Sequence, residues 1–415
     1  YWNVVTTQTP SITLTSTDSQ AVIPAAAALV AGTKQFSVTL KTAGPQTVTG
    51  DGGGLISGAS AAVTVNAGAP SQFIVSNVGN QSAVTAFTIN ARLADAYGNT
   101  TPNTGTTSPI RLAVVSGTGS IQGFSSFNMA VGVSTVSLTG IRFSVAQTGV
   151  QFRVYGYGTP GPYYGTASGK SGLTSTFDVL AGPAYRLQAL MPGQSLTPGV
   201  SPGYAGTPTT QTAGTPFGFT VKAVDSAGNQ ASSTATVSLA SNDPRASLPG
   251  SFALVNGSQT VNVTAKTAGS ISITASASGL YTSNSTSTPV VAGTATRLLT
   301  LLPGETYAPG TVAGKTGAPA AVTAGATVAA TVRVVDALSN TVTSATPTVA
   351  ITSSDPNATL PANAALVAGV GSFSVTVTSA GARTITATDQ SGSPVTAGTS
   401  AALSVGTGAA SKLQV

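Results

Sequence analysis

The sequence predicts an all-β protein in which β-sandwich domains follow one another along the chain, and three observations lead to this fold class. Thr, Ser, Val, Ala and Gly dominate the 415 residues, which include 48 Gly and 24 Pro. Apolar and polar residues alternate along several segments, and short blocks of sequence recur at domain-sized intervals. Strand-forming residues between Gly and Pro turns are typical of sandwiches.

Apolar residues at every second position predict half-buried strands. The segment before Asp225 has four of them in this register: Phe217, Phe219, Val221 and Ala223. Lys222 lies between them and is expected on the wet face. The same register precedes Asp95 and Asp336, and it recurs twice more, at Phe36, Val38 and Leu40 and at Phe373, Val375 and Val377. No helical stripe competes with this pattern.

Four recurring blocks set the organisation of the chain. They are an Asp-x-x-x-Asn block at 95–99, 225–229 and 336–340, an Asp-containing turn at Asp18, Asp243 and Asp355, an Ala-Gly pair after a strand at 43–44, 268–269 and 380–381, and a junction block at 67–70, 181–184, 292–295 and 408–411. The Asp anchors of the first block lie 130 and 111 residues apart. This spacing suits one sandwich per repeat.

These blocks divide the chain into domains. We predict a partial domain at 1–69 that lacks its first two strands, a divergent, aromatic-rich domain at 70–182, two further domains at 183–294 and 295–407, and at 408–415 the first strand of a following repeat. Aligning Pro10 with Pro347 places Asn3 on Asn340, so the sequence starts inside an Asp-x-x-x-Asn turn. A window on a longer tandem array explains this best, and donation of the missing strands by neighbouring subunits is the alternative.

The composition leaves out most catalytic chemistry. The chain has no Cys and no His, which removes the usual ligands of zinc, haem and iron–sulfur clusters and the Ser-His-Asp and Cys-His mechanisms. Its 16 Lys and Arg are scattered and form no basic patch. The small-apolar run near 22–30 is too short for a bilayer. We therefore expect no enzyme activity, catalytic residue, cofactor, metal, nucleic-acid partner or direct membrane insertion.

The Asp-x-x-x-Asn blocks are interpreted as structural turns. The residues concerned are Asp95, Asn99, Asp225, Asn229, Asp336 and Asn340. An Asp side chain can accept a hydrogen bond from a backbone N–H two residues on, and Gly or Asn tolerates positive φ. Calcium binding is the alternative, but Ca²⁺ prefers about 6–8 oxygen ligands and each loop offers one carboxylate.

A cluster of tyrosines is the candidate contact surface. Four of the ten Tyr fall within ten residues, at Tyr155, Tyr157, Tyr163 and Tyr164, between Gly and Pro residues. A Tyr ring is rigid and apolar with a polar tip, which suits protein interfaces and sugar stacking. The alternative is that Tyr155 and Tyr157 pack on their own sheet.

Several segments give the chain a resemblance to a family. They are 1–5 (Tyr-Trp-Asn-Val-Val), 302–305 (Leu-Pro-Gly-Glu), 314–317 (Gly-Lys-Thr-Gly), 360–367 (Leu-Pro-Ala-Asn-Ala-Ala-Leu-Val) and its cousin 23–30. The chain resembles the tandem bacterial immunoglobulin-like repeats of invasin/intimin-like surface proteins over nearly its full length, although 70–182 matches poorly. The resemblance implies immunoglobulin-like sandwiches and an extracellular or cell-surface location, and it supplies no catalytic residues.

The function expected from these observations is structural. We expect a non-enzymatic extracellular rod, filament or surface-layer component that associates with itself or with neighbouring repeats of the same protein. The alternatives are the stalk of a cell-surface adhesin that presents a distal binding domain to a glycan or protein receptor, and a carbohydrate-binding module that uses the tyrosines.

Overall fold

The computed structural model describes residues 3–159, 165–392 and 395–408. These residues form strands and turns and contain no helix, which confirms the all-β class. Accordingly, no described segment is a helix that could cross a bilayer. The chain divides into two compact units, Tyr1–Gly182 and Pro183–Val415.

The first segment of the first unit, 3–69, is a pair of small antiparallel sheets. One sheet has the strand order Ala27–Ala28, Ser11–Ser16, Val48–Asp51, Gly58–Ala59, and the other pairs Gly44–Gln46 with Val63–Val65. The apolar residues Ile12 and Leu14 alternate with exposed neighbours but are themselves only half-buried. They line an open groove of about 730 Å³ with Phe36, Val38 and Leu40.

The strand predicted at 36–40 does not form. Phe36, Val38 and Leu40 keep their alternating exposure, yet the segment makes one isolated bridge, between Val22 and Thr39. The corresponding segment Val370–Thr376 is a full strand because it pairs along its length with Thr327–Val335. An extended segment becomes a ladder strand when a neighbour meets its backbone groups, and residues 3–69 contain no counterpart of that neighbour.

The segment 70–182 is a two-sheet structure around an aromatic core. One sheet has the order Ile121–Gln122, Thr135–Phe143, Phe87–Ala94, Gln72–Val75, and the other has the order Phe127–Met129, Ser108–Ser116, Gln147–Gly156, Phe177–Leu180, Gln81–Ser82, with Ser171–Leu173 beside Gln147–Gly156. The Phe152 ring lies 5.4 Å from both Phe143 and Phe177 and 6.3 Å from Phe87, centre to centre. Five of the seven Phe in this segment lie in its core: Phe73, Phe87, Phe143, Phe152 and Phe177.

The second unit begins with the segment 183–294. Its largest sheet has the order Phe252–Ala253, Thr236–Ser241, Ile273–Ala277, Leu280–Asn284, Arg186–Leu190, Phe217–Val224, Ser258–Val263, and beside it lie the sheet Gln211–Thr212, Thr288–Val291, Gly269–Ile271 and the hairpin Ser195–Leu196, Tyr204–Ala205. Phe219 and Val221 are fully buried, whereas Lys222 between its apolar neighbours is partly exposed. The side-chain alternation read from the sequence is the one that the strand adopts.

The segment 295–407 repeats this plan. Its sheets have the orders Arg297–Leu301, Thr327–Val335, Val370–Thr376; Ala364–Ala365, Thr348–Ser353, Ile385–Asp389, Gly398–Thr399; and Val322–Thr323, Leu403–Gly406, Gly381–Arg383, with the hairpin Glu305–Tyr307, Lys315–Gly317. That hairpin covers the outer face of the first sheet, where Tyr307 packs against Leu299, Leu301 and Val335. The sheet is therefore apolar on both faces here.

The described residues form separate hydrophobic clusters within 73–179, 187–290 and 298–405. Each cluster lies inside one of the predicted domains. The domain boundaries themselves stay predictions.

Truncating Phe219 tests the core. Phe219 is fully buried in the hydrophobic cluster of 183–294, so Phe219→Ala should lower the free energy of unfolding of this segment by about 3–5 kcal/mol. Thr260→Ala is the matched control, because it removes an exposed hydroxyl pair on the same sheet and should cost less than about 1 kcal/mol. Hydrogen exchange of the amides in Phe217–Val224 measures both. Equal effects of the two substitutions would contradict the assigned register.

Candidate functional site: the Asp-x-x-x-Asn turns and the loops they contact

Each Asp-x-x-x-Asn turn is closed by its own Asp carboxylate. Asp336 directly follows the strand Thr327–Val335, and its Oδ1 accepts hydrogen bonds from the amides of Leu338 (2.9 Å) and Asn340 (2.8 Å). Nδ2 of Asn340 donates to Oδ2 of Asp336 at 3.0 Å. Both side chains are almost completely buried. The carboxylate therefore fixes the direction of the Asn side chain.

The other two turns have the same internal hydrogen bonds. Oδ1 of Asp95 accepts from the amides of Tyr97 and Asn99, each at 2.9 Å. In the third turn, Oδ1 of Asp225 accepts from the amides of Ala227 and Asn229, also at 2.9 Å. The position before Asn has positive φ in all three, at Gly98 (85°), Gly228 (85°) and Ser339 (60°). A left-handed residue is what this turn requires.

The Asp carboxylate also holds the chain segment that leads into its domain. Oδ2 of Asp95 accepts a hydrogen bond of 2.8 Å from the Gly68 amide. Oδ2 of Asp336 does the same with the Gly293 amide, again at 2.8 Å. These glycines belong to the junction blocks of the sequence. The turn is thus tied to the linker that precedes its own domain.

The Asn side chain crosses to the preceding predicted domain. Oδ1 of Asn340 accepts from the Ala268 amide at 2.8 Å, and Nδ2 donates to the Lys266 carbonyl at 3.0 Å. Asn99 makes the same pair of bonds with the Ala43 amide (2.8 Å) and the Lys41 carbonyl (2.7 Å). A primary amide presents one donor and one acceptor side by side, so it can satisfy both backbone groups at once.

A second carboxylate shapes the loop that receives the Asn. Oδ2 of Asp243 accepts from the amides of Lys266 (2.8 Å) and Thr267 (3.0 Å), and Oδ1 accepts from the Thr267 hydroxyl at 2.9 Å. Asp18 holds the loop at 41–43 through the same three groups of Lys41 and Thr42. These hydrogen bonds therefore connect the repeat blocks, which are separate in the sequence, into one continuous polar network.

The hairpin of 295–407 makes a further contact at the same junction. Nε of Arg245 donates to the Pro309 carbonyl at the hairpin tip at 3.0 Å. The hydroxyl of Tyr307 donates to the Ser339 carbonyl at 2.6 Å, inside the Asp-x-x-x-Asn turn. The guanidinium of Arg333 lies over the Tyr307 ring, 4.2 Å from its centre. Turn, hairpin and receiving loop are thus connected.

Hydrogen bonds keep these carboxylates ionised. Burial by itself would raise the pKa values of Asp18, Asp95 and Asp243, but the N–H and O–H groups that donate to each carboxylate outweigh burial and hold the pKa below the ordinary 3.8. At Asp355 the Ser379 hydroxyl contributes most, and its pKa is lowered as well. The ionised carboxylates are part of the folded structure.

The described residues include two members of the predicted tyrosine cluster. Tyr155 lies on the strand Gln147–Gly156 and is half-buried, whereas Tyr157 follows the strand and is 47% exposed. The guanidinium of Arg111 lies over the Tyr157 ring, 4.2 Å from its centre. Tyr163 and Tyr164 lie outside the described residues, so the role proposed for the four tyrosines stays a prediction.

A second tyrosine pair escaped the sequence analysis. The rings of Tyr185 and Tyr281 lie 4.8 Å apart, centre to centre, and both are exposed. Their hydrogen bond raises the pKa of Tyr185 above its ordinary value. The strands Arg186–Leu190 and Leu280–Asn284 are parallel neighbours in one sheet, and this pairing brings the two residues together. No local sequence pattern predicts such a pairing.

Comparison with known proteins adds little to this geometry. No protein-family model matches the chain, and no curated protein matches it. Among solved structures, invasin, a bacterial integrin-binding protein, gives a TM-score of 0.25 at 15% identity, over 95% of this chain and 72% of its own. Surface layer protein SbsC, domains 4–9, gives 0.23 at 17% identity, over 97% and 59%.

An enzyme is also among these matches. A β-glycosidase from Bacteroides vulgatus gives a TM-score of 0.23 at 11% identity, over 54% of this chain and 25% of its own, so the chain spans a quarter of that enzyme. TM-scores of this size decide nothing about what the chain does. The all-β class stands on the strands of the chain itself.

Removing the Asn side chain tests the junction. Asn340→Ala deletes both bonds to the loop at 266–268, so the Ala268 amide should exchange about tenfold faster, which corresponds to about 1.4 kcal/mol, near the net value of one hydrogen bond. The amides of Phe217–Val224 should keep their rates. Asn262→Ala, on an exposed strand position, is the matched control. Unchanged exchange at Ala268 in Asn340→Ala would show that the contact does not form.

Acidification tests the carboxylates. A carboxylate whose pKa is lowered by folding stabilises the folded state above the unfolded-state value of 3.8 and loses this contribution as the pH falls through the folded-state pKa. Stability should therefore be flat from pH 8 to 5, since the chain has no His, and should fall below about pH 4. Asp243→Asn should be less stable at pH 7 and lose less on acidification, as measured by urea unfolding. An equally steep loss in Asp243→Asn would contradict the assignment.

Proposed function

We propose that the protein is a non-enzymatic, extracellular structural protein, a rod or filament or surface-layer component built of tandem immunoglobulin-like domains. The observation that carries the proposal is the repeated junction, in which an Asn side chain binds a preformed loop of the preceding segment. Asn99 and Asn340 do this with the same two backbone groups. A structure selected for a fixed geometry between successive domains would repeat its junction in this way.

Several weak bonds act together at the junction between 183–294 and 295–407. One hydrogen bond contributes about 1 kcal/mol net. Asn340 supplies two across the junction, Asp336 binds the linker at Gly293, and Arg245 binds the hairpin tip at Pro309. Because the bonds attach at three places, bending at the linker has to break more than one. This supports the role of a stiff spacer rather than a flexible tether.

Several acidic side chains of the chain are occupied in structural contacts. Glu305 is buried and forms an ion pair of 2.9 Å with Lys315, and its other oxygen accepts from the Leu302 amide. Asp18, Asp243 and Asp355 each accept hydrogen bonds from a loop. A general acid or base needs a carboxyl group that can reach a substrate. This occupancy supports the proposal that the protein is not an enzyme.

Hydroxyl pairs join neighbouring strands on the outer faces of the sheets. Cross-strand pairs join Thr220 to Thr260 at 2.8 Å, Thr327 to Thr376 at 3.0 Å and Ser238 to Ser276 at 3.0 Å. Only 6% of the residues are charged, so trypsin-type proteases find few sites. Both features suit a protein that stands outside the cell among proteases.

Sugar binding by the tyrosines has less support. Sugar stacking needs a free ring face, and the guanidinium of Arg111 covers one face of Tyr157. We therefore keep the carbohydrate-binding module as an outcome to be tested. A glycan array with the full chain should give no specific signal. A signal that Tyr157→Ala abolishes would favour that alternative.

Electron microscopy tests the structural role. Negatively stained full-length chain, examined over a range of concentrations, should form ordered polymers with a regular repeat, because the proposal assigns self-association or association with neighbouring repeats. Polymers of Asn99→Ala/Asn340→Ala should bend more sharply, and those of Asn262→Ala should not. Isolated strings at every concentration would contradict the filament and favour the adhesin stalk with a distal glycan or protein receptor.

A further inference from the structure

A third loop repeats the loops that receive Asn99 and Asn340. It is 378–380, and Asp355 holds it as Asp18 and Asp243 hold the other two. Oδ2 of Asp355 accepts from the Thr378 amide and, at 2.9 Å, from the Ser379 amide, while the Ser379 hydroxyl donates to Oδ1 at 2.6 Å. The three loops are therefore built by the same hydrogen bonds.

The backbone that follows each loop has the same conformation. The next residue is Gly in all three, with φ of +119° at Gly44, +135° at Gly269 and +117° at Gly381. Such values favour Gly strongly. The loop at 378–380 therefore has the shape of its occupied counterparts before any partner reaches it.

In the occupied loops, the first residue offers its carbonyl and the third offers its amide to one Asn. The matching groups here are the Thr378 carbonyl and the Ala380 amide. Neither has a hydrogen-bond partner among the described residues, and both residues are exposed. A third group, the amide of Gly408, corresponds to the Gly293 amide that binds Asp336, and it too has no partner within the described ranges.

We propose that the loop at 378–380 is a docking site for the Asp-x-x-x-Asn turn of a further immunoglobulin-like domain, joined in tandem through the strand predicted at 408–415. The Asn carboxamide of that turn binds the Thr378 carbonyl and the Ala380 amide, and its Asp carboxylate binds the Gly408 amide. The inference rests on the proposed function, because it assigns the partner that a tandem rod requires at this end.

The sequence around residue 408 favours a tandem partner over a second copy. Lys412-Leu413-Gln414-Val415 repeats the pattern of Arg186-Leu187-Gln188-Ala189, which opens the strand Arg186–Leu190. In 295–407, the Asp336 carboxylate of the turn binds the Gly293 amide just before the opening strand. A domain that opens with Lys412-Leu413-Gln414-Val415 places the Asp of its turn next to Gly408 in the same way. In a second copy, moreover, Asn99 and Asn340 are already engaged.

Lengthening the chain tests the site. The full chain is continued after Val415 by residues 301–407, which extend the opening strand in register and carry their own Asp-x-x-x-Asn turn. Hydrogen exchange, resolved to single amides by fragmentation in the mass spectrometer, should show Ala380 and Gly408 exchanging at least tenfold more slowly than in the unlengthened chain. The matched control carries Asn340→Ala in the added copy alone, and Ala380 should return to its original rate.

A second lengthened chain guards against failure of the added copy to fold. It is continued after Val415 by residues 190–294, with the turn at 225–229. Slow exchange of the core amides of the added copy reports its folding. Fast exchange at the Ala380 amide in both lengthened chains would overturn the inference. Slower exchange of this amide in the unlengthened chain at rising protein concentration would also overturn it, because a second copy would then be the occupant.

The same samples separate this inference from the proposed function. The Ala268 amide of the existing junction is the internal reference. If Ala268 exchanges slowly and Ala380 stays fast in both lengthened chains, the docking site fails and the proposed function stands. If Ala268 also exchanges freely, the junction itself is absent and the proposed function fails with it.

Discussion

The Asn carboxamide that ends the Asp-x-x-x-Asn turns at 95–99 and 336–340 is the group on which the junctions of the structure depend. It meets one backbone amide and one backbone carbonyl of the preceding segment, as Asn340 does with Ala268 and Lys266. A carboxylate on each side fixes the two partners: Asp336 orients the Asn, and Asp243 shapes the loop. The two carboxylates therefore hold the Asn and the loop in the geometry that their contact requires.

Much of the fold follows from local sequence. The alternation at 217–223 predicts a strand with one buried face, and Phe219 is fully buried on it. The prediction was wrong at 36–40, because a strand also needs a neighbour. The corresponding strand Val370–Thr376 pairs with Thr327–Val335, and residues 3–69 contain no counterpart of that neighbour. Likewise, the contact between Tyr185 and Tyr281 depends on the pairing of strands far apart in the chain.

The sequence predicts the turns and loops of the site but not the contacts between them. The sequence analysis found the turn at 336–340, the loop at 266–269 and the junction at 292–295 as separate repeats. Asn340 and Ala268 lie 72 residues apart, and nothing in the pattern states that they touch. A usable signal existed all the same: the turns at 95–99 and 336–340 each follow a Lys-Thr-Ala-Gly loop, at 41–44 and 266–269. This recurrence also directs attention to the loop at 378–380.

The central claim is that loop and turn act as one unit, and a double-mutant cycle between Asp243 and Asn340 measures this most directly. Asp243→Ala and Asn340→Ala are made singly and together in the full chain, and the free energy of opening at the Ala268 amide is taken from native-state hydrogen exchange. Coupled groups should be non-additive by about 1–2 kcal/mol, since the second substitution has little left to remove. Additivity within about 0.5 kcal/mol would show that loop and turn are independent.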